Sequence, residues 1–235
     1  MASSDPVSRR EIANVELFRG VSTAALDEAR RSARIRIIAK HARVFDQGDN
    51  RARAHALLEG CVRISQTGSD GAQIVIRFIG PGEIFGAAAA FSERRYPADA
   101  DAMAPSIEVS WSEVELTKLI NRHPQIALNA LRVMGRRLSE LQNRVREIST
   151  QSVERRIAHT VLRLVRQFGK EESLGTSIGL PLRRKDIADI AGTTLYSVSR
   201  ALTSWEKRGL LITRGQVLTV LKISDLRAIA EVPLD

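Results

Sequence analysis

Residues 184–203 read RKDIADIAGTTLYSVSRALT. The spacing predicts two short helices joined by a tight turn. Ala188, Gly192 and Val198 stand where a helix-turn-helix needs a small residue at the helix crossing, a turn residue and a β-branched core residue. Gly192 takes positive φ without a Cβ clash. Thr193 or Thr194 can cap the next helix by accepting from one of its unpaired N–H groups. Leu195, Val198, Leu202 and Trp205 recur at steps of three, four and three and make one apolar face. Tyr196, Ser199, Arg200 and Thr203 fall on a separate face near the helix N-terminus. Hydrogen-bonding groups in that place suit base edges in the DNA major groove. Arg200 can pair bidentately with guanine O6 and N7, and Ser199 and Tyr196 can reach bases or phosphates. Arg183, Arg184 and Lys185 open the first helix, where they can meet phosphates.

An ordinary surface helix hairpin would share the small-residue and glycine spacing. The segment that follows weighs against it. Gly209 ends the second helix, and LLITRGQVLTVLKI (210–223) reads as a hairpin around Arg214-Gly215, the wing of a winged helix.

The 235 residues suffice for two modest domains with their own cores. The formal net charge of +9 favours a polyanionic partner. Residues 150–235 hold 14 Lys and Arg against 9 Asp and Glu, so the C-terminal part is denser in positive charge without being a basic tail. A single cysteine, Cys61, excludes an intramolecular disulfide and any all-cysteine zinc or iron–sulfur site. Its apolar strand context reads as a small buried hydrophobe rather than a redox switch. No apolar run approaches a membrane span and the start lacks a signal-peptide core, so the expectation is a cytoplasmic protein with no membrane partner.

Taken in order, residues 1–16 are polar and read as a flexible N-terminus. Residues 17–120 read as a sensor domain. Phe18 to Ala33 has helical spacing, with Ser22 as a cap. Glycines at 48, 60, 71 and 82 are then spaced by 12, 11 and 11, as in strand-plus-turn units of a small antiparallel barrel, and GSDG (68–71) is a hairpin turn. Residues 121–149 form a long helix, with Pro124 suited to its first turn. Leu131, Met134, Leu138, Leu141, Val145 and Ile148 alternate steps of three and four, the seam of a coiled coil. A homodimer through that seam is the expectation, the alternative being a helix packed on its own barrel. Val153, Ile157, Val161 and Leu164 make a further amphipathic helix, and Gly169 to Gly179 reads as a polar loop. The DNA-binding domain covers 150–223 and a tail 224–235. The fold class is α+β: barrel, long helix, winged helix-turn-helix.

This order resembles the Crp/Fnr superfamily of bacterial transcription regulators, from about Leu17 onward. VFDQGD (44–49), LLEGCVRI (57–64) and GPGEIFG (80–86) match its barrel pattern. RRIAHTVLRL (155–164), RKDIADIAGTT (184–194) and VSRALTSWEKRGLL (198–211) match its DNA-binding part. The stretches 156–164 and 192–200 are similar to the nitric-oxide-responsive denitrification regulators of that family. The resemblance implies a cyclic-nucleotide-binding-like barrel, DNA contacts from Arg184, Thr193, Thr194, Tyr196, Ser199 and Arg200, and activation together with RNA polymerase at palindromic double-stranded DNA. The family's recognition helix usually has Glu where this chain has Tyr196, which removes an acceptor for cytosine N4.

The resemblance also carries expectations for the sensor. Members that bind cyclic AMP hold a Glu just past the GEIFG-like turn and an Arg-Ser or Arg-Thr pair facing the phosphate. Here those places read Ala87–Ala90 and, within YPADADAM (96–103), Pro97 and Ala98, with Asp99 and Asp101 beside them. Cyclic AMP is therefore not expected, and the N-terminal cysteine cluster of the iron–sulfur members is absent. An effector pocket of Phe85, Ala88, Met103 and Leu131 is the expectation. A haem there would draw an axial ligand from His41 or His123, or a thioether from Met103 or Met134. His55 and His159 complete the histidines. The expected function is a regulator that reads DNA in response to a nitric-oxide, redox or oxygen-linked signal. A sensor of the same fold that does not act on DNA is the alternative. No paired carboxylates, phosphate loop or nucleophile set suggests an enzyme.

Overall fold

Residues 7–16 are not loose. In the computed structural model, which describes residues 7–50, 53–91 and 95–231, Arg9–Asn14 form helix α1, with Ser8 and Glu11 closing a reciprocal capping box. Val7, Ile12 and Val15 are buried in the same core as Leu17 and Phe18. The expectation of a flexible segment is corrected for residues 7–16, and residues 1–6 lie outside the described residues. Helix α2 (Thr23–Ser32) follows, capped by Ser22 as its sequence predicts.

The strands then run β1 (Arg34–Ile38), β2 (Arg43–Phe45), β3 (Arg53–Glu59), β4 (Val62–Thr67), β5 (Gln73–Ile79) and β6 (Ile84–Phe85). Helix α3 (Ala87–Phe91) precedes β7 (Asp99–Ala102) and β8 (Ser106–Ser112). They form two four-stranded sheets, β1-β8-β3-β6 and β2-β7-β4-β5. Side chains from both sheets, among them Ile38, Leu57, Val62 and Ala100, share one interior cluster, so the pair closes as the predicted barrel. Alternation on β3 and β8 sorts their side chains. Ala54, Ala56, Val109 and Trp111 face outward to α1, α2 and the helix after β8. Trp111 donates its indole N–H to the Ala29 carbonyl at 2.8 Å and meets Phe18 edge-on, ring centres 5.0 Å apart.

Helix α4 (Glu113–Arg122) ends at His123, and α5 (Gln125–Thr150) starts after Pro124, four residues later than the expected boundary. The chain divides into two units, Met1–Gln73 with Arg77–Ser139 and Ile74–Ile76 with Glu140–Asp235. The second unit continues with α6 (Val153–Phe168), β9 (Gly169–Glu172), β10 (Gly175–Ile178), α7 (Arg184–Ala191), α8 (Leu195–Lys207), β11 (Leu211–Arg214), β12 (Val217–Val220) and α9 (Ile223–Glu231). Two expectations are corrected here. Residues 169–179 are a hairpin, β9 pairing with β10 from Gly169↔Ile178 to Glu172↔Gly175. The expected tail is helix α9, whose Leu226 and Ala230 are buried. The strands join in one antiparallel sheet of order β11-β12-β10-β9. Among the described residues no helix is long and apolar enough to cross a membrane.

Candidate nucleic-acid interface

The turn between α7 and α8 is built as its sequence specifies. Gly192 has φ 63° and ψ 48°, the left-handed conformation that an L side chain adopts only at a cost. A Cβ there would also stand 3.3 Å from Ile148 Cδ1. Thr194, rather than Thr193, is the cap: its Oγ1 accepts from the Ser197 N–H at 3.2 Å, an interaction worth about 1 kcal/mol. Val198, Leu202 and Trp205 are buried on the inner face of α8. Leu195 is not with them, because it opens the helix ahead of that stripe and is half exposed. The apolar face is thus one residue shorter than expected.

The opposite face is open. Tyr196, Ser199, Arg200, Thr203, Ser204 and Lys207 line one concavity along α8. The Arg200 guanidinium lies over the Tyr196 ring, 5.8 Å from its centre. Behind this face the wing forms as predicted, with Arg214 facing Val217 across a two-residue turn.

The basic trio at the start of α7 is divided by its partners. Arg183 donates to the fully buried Asp186 carboxylate at 2.7 Å, and that hydrogen bond holds the guanidinium pKa above its ordinary value. Lys185 pairs with Asp189. Arg184 carries no ion pair among the described residues, which leaves it the freer cation for a phosphate. The equal standing given to the three is corrected accordingly.

Sequence reasoning missed what braces the turn. Arg156, on α6, donates to the carbonyls of Ala191 and Gly192, both at 3.1 Å, and to Gln151 O at 2.9 Å. It satisfies carbonyls that α7 leaves unpaired at its C-terminus. Glu154 accepts from the Trp205 indole at 2.9 Å and ties α6 to α8. Nothing in a run of arginines marks Arg156; only the fold brings it 36 residues along the chain to Gly192.

Helix α5 presents two apolar faces. Ile126, Asn129 and Val133 are buried, and Asn129 donates to the Leu17 and Arg19 carbonyls at 3.0 and 2.8 Å. Arg136 pairs with Glu16 at 2.7 Å and Arg137 with Glu83 at 3.1 Å. The predicted seam is a different stripe. Leu131, Met134, Leu138, Leu141, Val145 and Ile148 are between 47% and 67% exposed, with Leu128 extending the row. The helix therefore packs on its own barrel with one face and leaves the seam uncovered.

The barrel interior places the residues of the expected effector pocket in different settings. Phe85 is buried in an aromatic group in which Phe45 and Tyr96 stack at 3.7 Å and His55 lies 5.1 Å from Phe85. Ala88 and Leu131 are exposed. Met103 is buried outside that group. The four thus differ in setting, two buried and two exposed. At the centre Glu108, wholly buried, accepts from Arg36 Nε at 2.8 Å and bonds His55 Nδ1 at 2.9 Å, while His55 Nε2 meets the Tyr96 hydroxyl at 2.8 Å. Burial alone would raise the Glu108 pKa; His55 and Arg36 outweigh it, and the carboxyl sits below its ordinary value.

The side chains expected to hold a haem or to face a cyclic phosphate have other partners or stand in the open. His41 is exposed on a turn with φ 69°, and His123 Nε2 is held by Glu28 at 3.0 Å. Met134 belongs to the exposed seam. Asp99 and Asp101 stand beside Pro97 and Ala98, both paired with Arg43, and Asp101 also with Arg63. Cys61 is buried, and burial with the nearby Glu83 charge pushes its thiol up to about 12, so it holds no thiolate at neutral pH.

A cyclic nucleotide-binding domain model matches residues 35–123, and a Crp-like helix-turn-helix domain model matches residues 155–229. The chain is 24% identical over 209 residues to the CRP-like cAMP-activated global transcriptional regulator of Mycobacterium tuberculosis, covering 89% of this chain and 93% of that protein. It is 27% identical over 195 residues to the cyclic AMP receptor protein of Thermus thermophilus, covering 83% and 87%. The solved structure of FixK2 from Bradyrhizobium japonicum superposes with a TM-score of 0.74 at 21% identity, over 86% of this chain and 99% of that one. Barrel, long helix and winged helix-turn-helix in this order, matched along most of the chain, make this protein a member of the Crp/Fnr family of DNA-binding transcription regulators and not an enzyme.

Proposed function

We propose that the protein is a homodimeric activator that reads a palindromic DNA site with α8 and engages RNA polymerase beside it. The observation that carries this is the α8 face itself: Tyr196, Ser199, Arg200 and Thr203 stand in the open on a helix whose other side is locked by Val198, Leu202 and Trp205. Two such helices related by a dyad would meet half-sites about 34 Å apart. The seam on α5 supports the dyad. Fully burying a Leu-sized side chain contributes about 1.5–3 kcal/mol; the six seam residues have about half of that surface still to bury, so six from each chain still add up to the order of the association cost, about 4–15 kcal/mol.

The signal acts through the barrel. The likeness of residues 156–164 and 192–200 to the nitric-oxide-responsive branch supports a nitric-oxide or oxygen-linked signal. Among the described residues no group of three metal-ligating side chains is assembled to receive it, so the sensing group is to be sought spectroscopically in protein purified without oxygen. Fluorescence anisotropy with a labelled palindrome tests the DNA reading. Two chains bound per duplex, and at least a thousandfold preference over a scrambled duplex at fixed salt, are expected. Equal affinity for both duplexes would point to the alternative, a sensor that does not act on DNA.

A further inference from the structure

A cleft of about 470 Å³ opens beside the end of α1 and shares no lining residue with the aromatic group inside the barrel. Two segments meet there. The Glu16 N–H donates to the Gly82 carbonyl at 2.8 Å, and Glu16 Oε1 accepts from the Ile84 N–H at 3.0 Å. A Cβ on Gly82 would stand 2.9 Å from the Asn14 carbonyl, so the turn at 80–83 lies close against the end of α1. The apolar lining is Ala13, Leu58 and Pro81, and the polar lining includes Glu11, Asn14 and Arg19. Among the described residues Arg19 has no ion pair and the Asn14 carboxamide no hydrogen bond. The Ser8 hydroxyl and N–H both donate to Glu11 Oε2 at 2.6 Å and hold that carboxyl below its ordinary pKa. It is therefore ionised at neutral pH, and its Oε1 is not used by these bonds.

We infer that this cleft binds a free α-amino acid with an apolar side chain, its carboxylate on Arg19, its ammonium on Glu11 Oε1 and its side chain against Leu58 and Pro81. One cation and one anion in a single small cleft complement a zwitterion, through a charge-assisted hydrogen bond at each end. A ligand with one charge leaves one of the two unanswered. Clefts of this size take small molecules. The walls are also the segments that hold α5. Asn129 donates to the Leu17 and Arg19 carbonyls at 3.0 and 2.8 Å, Arg136 pairs with Glu16 at 2.7 Å and Arg137 with Glu83 at 3.1 Å. An amino acid that draws Arg19 over the cleft thus bears on the helix that carries the seam, and the site is a second input to the regulator. That coupling rests on the reading of α5 as the dimer helix and α8 as the DNA reader.

The test uses the full-length protein and calorimetric titration with L-valine, L-leucine, L-isoleucine, L-methionine and L-phenylalanine. The tightest binder is then compared with the acid that lacks its amino group and the amine that lacks its carboxylate. Saturable binding at a Kd of about 1 mM or tighter is expected. Losing either charge-assisted bond should weaken it about tenfold or more, in each truncated analogue and in Arg19→Gln and Glu11→Gln. Glutamine keeps the α1 capping box and Arg19 is exposed, so both variants are expected to match wild type by circular dichroism. Binding by none of the five, equal binding of a truncated analogue, or binding undiminished in Arg19→Gln overturns the inference. Anisotropy with the selected duplex reads the coupling: the amino acid should shift the affinity of wild type and leave that of Arg19→Gln unchanged. A bound amino acid that leaves duplex affinity unaltered overturns the coupling. If the amino acid binds while no duplex is recognised, the DNA-reading assignment has failed and the site stands.

Discussion

Arg156 Nη2 donates to the Gly192 carbonyl at 3.1 Å, so the residue that lets the chain turn between α7 and α8 is held from behind by α6. The same guanidinium reaches Ala191 O and Gln151 O. Arg156→Ala leaves these carbonyls short of a donor, which costs about 1–3 kcal/mol. The expected outcome is a lower melting temperature and weaker binding of every duplex alike, with the selected sequence unchanged. A variant that melts as wild type would show the brace to be dispensable.

The exposed seam predicts assembly. Leu138→Glu with Leu141→Glu places two charges in each half of the interface, where burying them unpaired is costly. Sedimentation is expected to show monomers with native helix content. A double variant that sediments as the wild-type dimer would mean that another surface joins the chains.

The Glu108 network predicts an acid-side loss of stability. Its folded pKa lies below the ordinary carboxylate value because of His55 and Arg36, despite burial. That contribution is fully present above the unfolded pKa of about 4.3 and is lost as pH falls through the folded value. Glu108→Gln removes it at neutral pH and leaves the half-buried Arg36 without its carboxylate; breaking such a pair costs at most about 3–5 kcal/mol. Denaturant titrations of wild type and variant are expected to converge on acidification, and a gap that stays constant down to pH 3 would contradict this.

Cyclic AMP is expected neither to bind nor to activate, because Asp99 and Asp101 already hold Arg43 and Arg63 where a phosphate would need a free cation. Calorimetry should show no heat of binding at millimolar nucleotide. Micromolar affinity would require these ion pairs to reorganise.

What was legible in the sequence was what short range determines. Gly192, Thr194 and the step pattern of Val198, Leu202 and Trp205 fix a turn, a cap and a buried stripe within a dozen residues, and the structure has all three. The seam was legible for the same reason. Helix α1 was hidden because it is only six residues long and buries Ile12 alone, too short for a helical period to show. The β9–β10 hairpin was hidden because every residue of β9 is exposed, so no alternation marks it. Tyr96 and Glu108 lie 41 and 53 residues along the chain from His55, which bonds both, beyond any local pattern. The barrel interior was hidden on the same ground: the sequence showed small and apolar residues, but not that Phe45, Phe85, Tyr96 and His55 pack together between the sheets.

The central claim is that α8 reads bases, and selection of binding sites by wild type and Arg200→Ala tests it most directly. Wild type is expected to select a palindrome whose half-sites lie one helical turn apart. Arg200→Ala should lose about 1–3 kcal/mol and its preference at one guanine per half-site, whereas Arg184→Ala weakens binding to all sequences and lowers the salt slope by about one. If wild type and Arg200→Ala select the same palindrome with equal information at every position, this helix does not read the DNA.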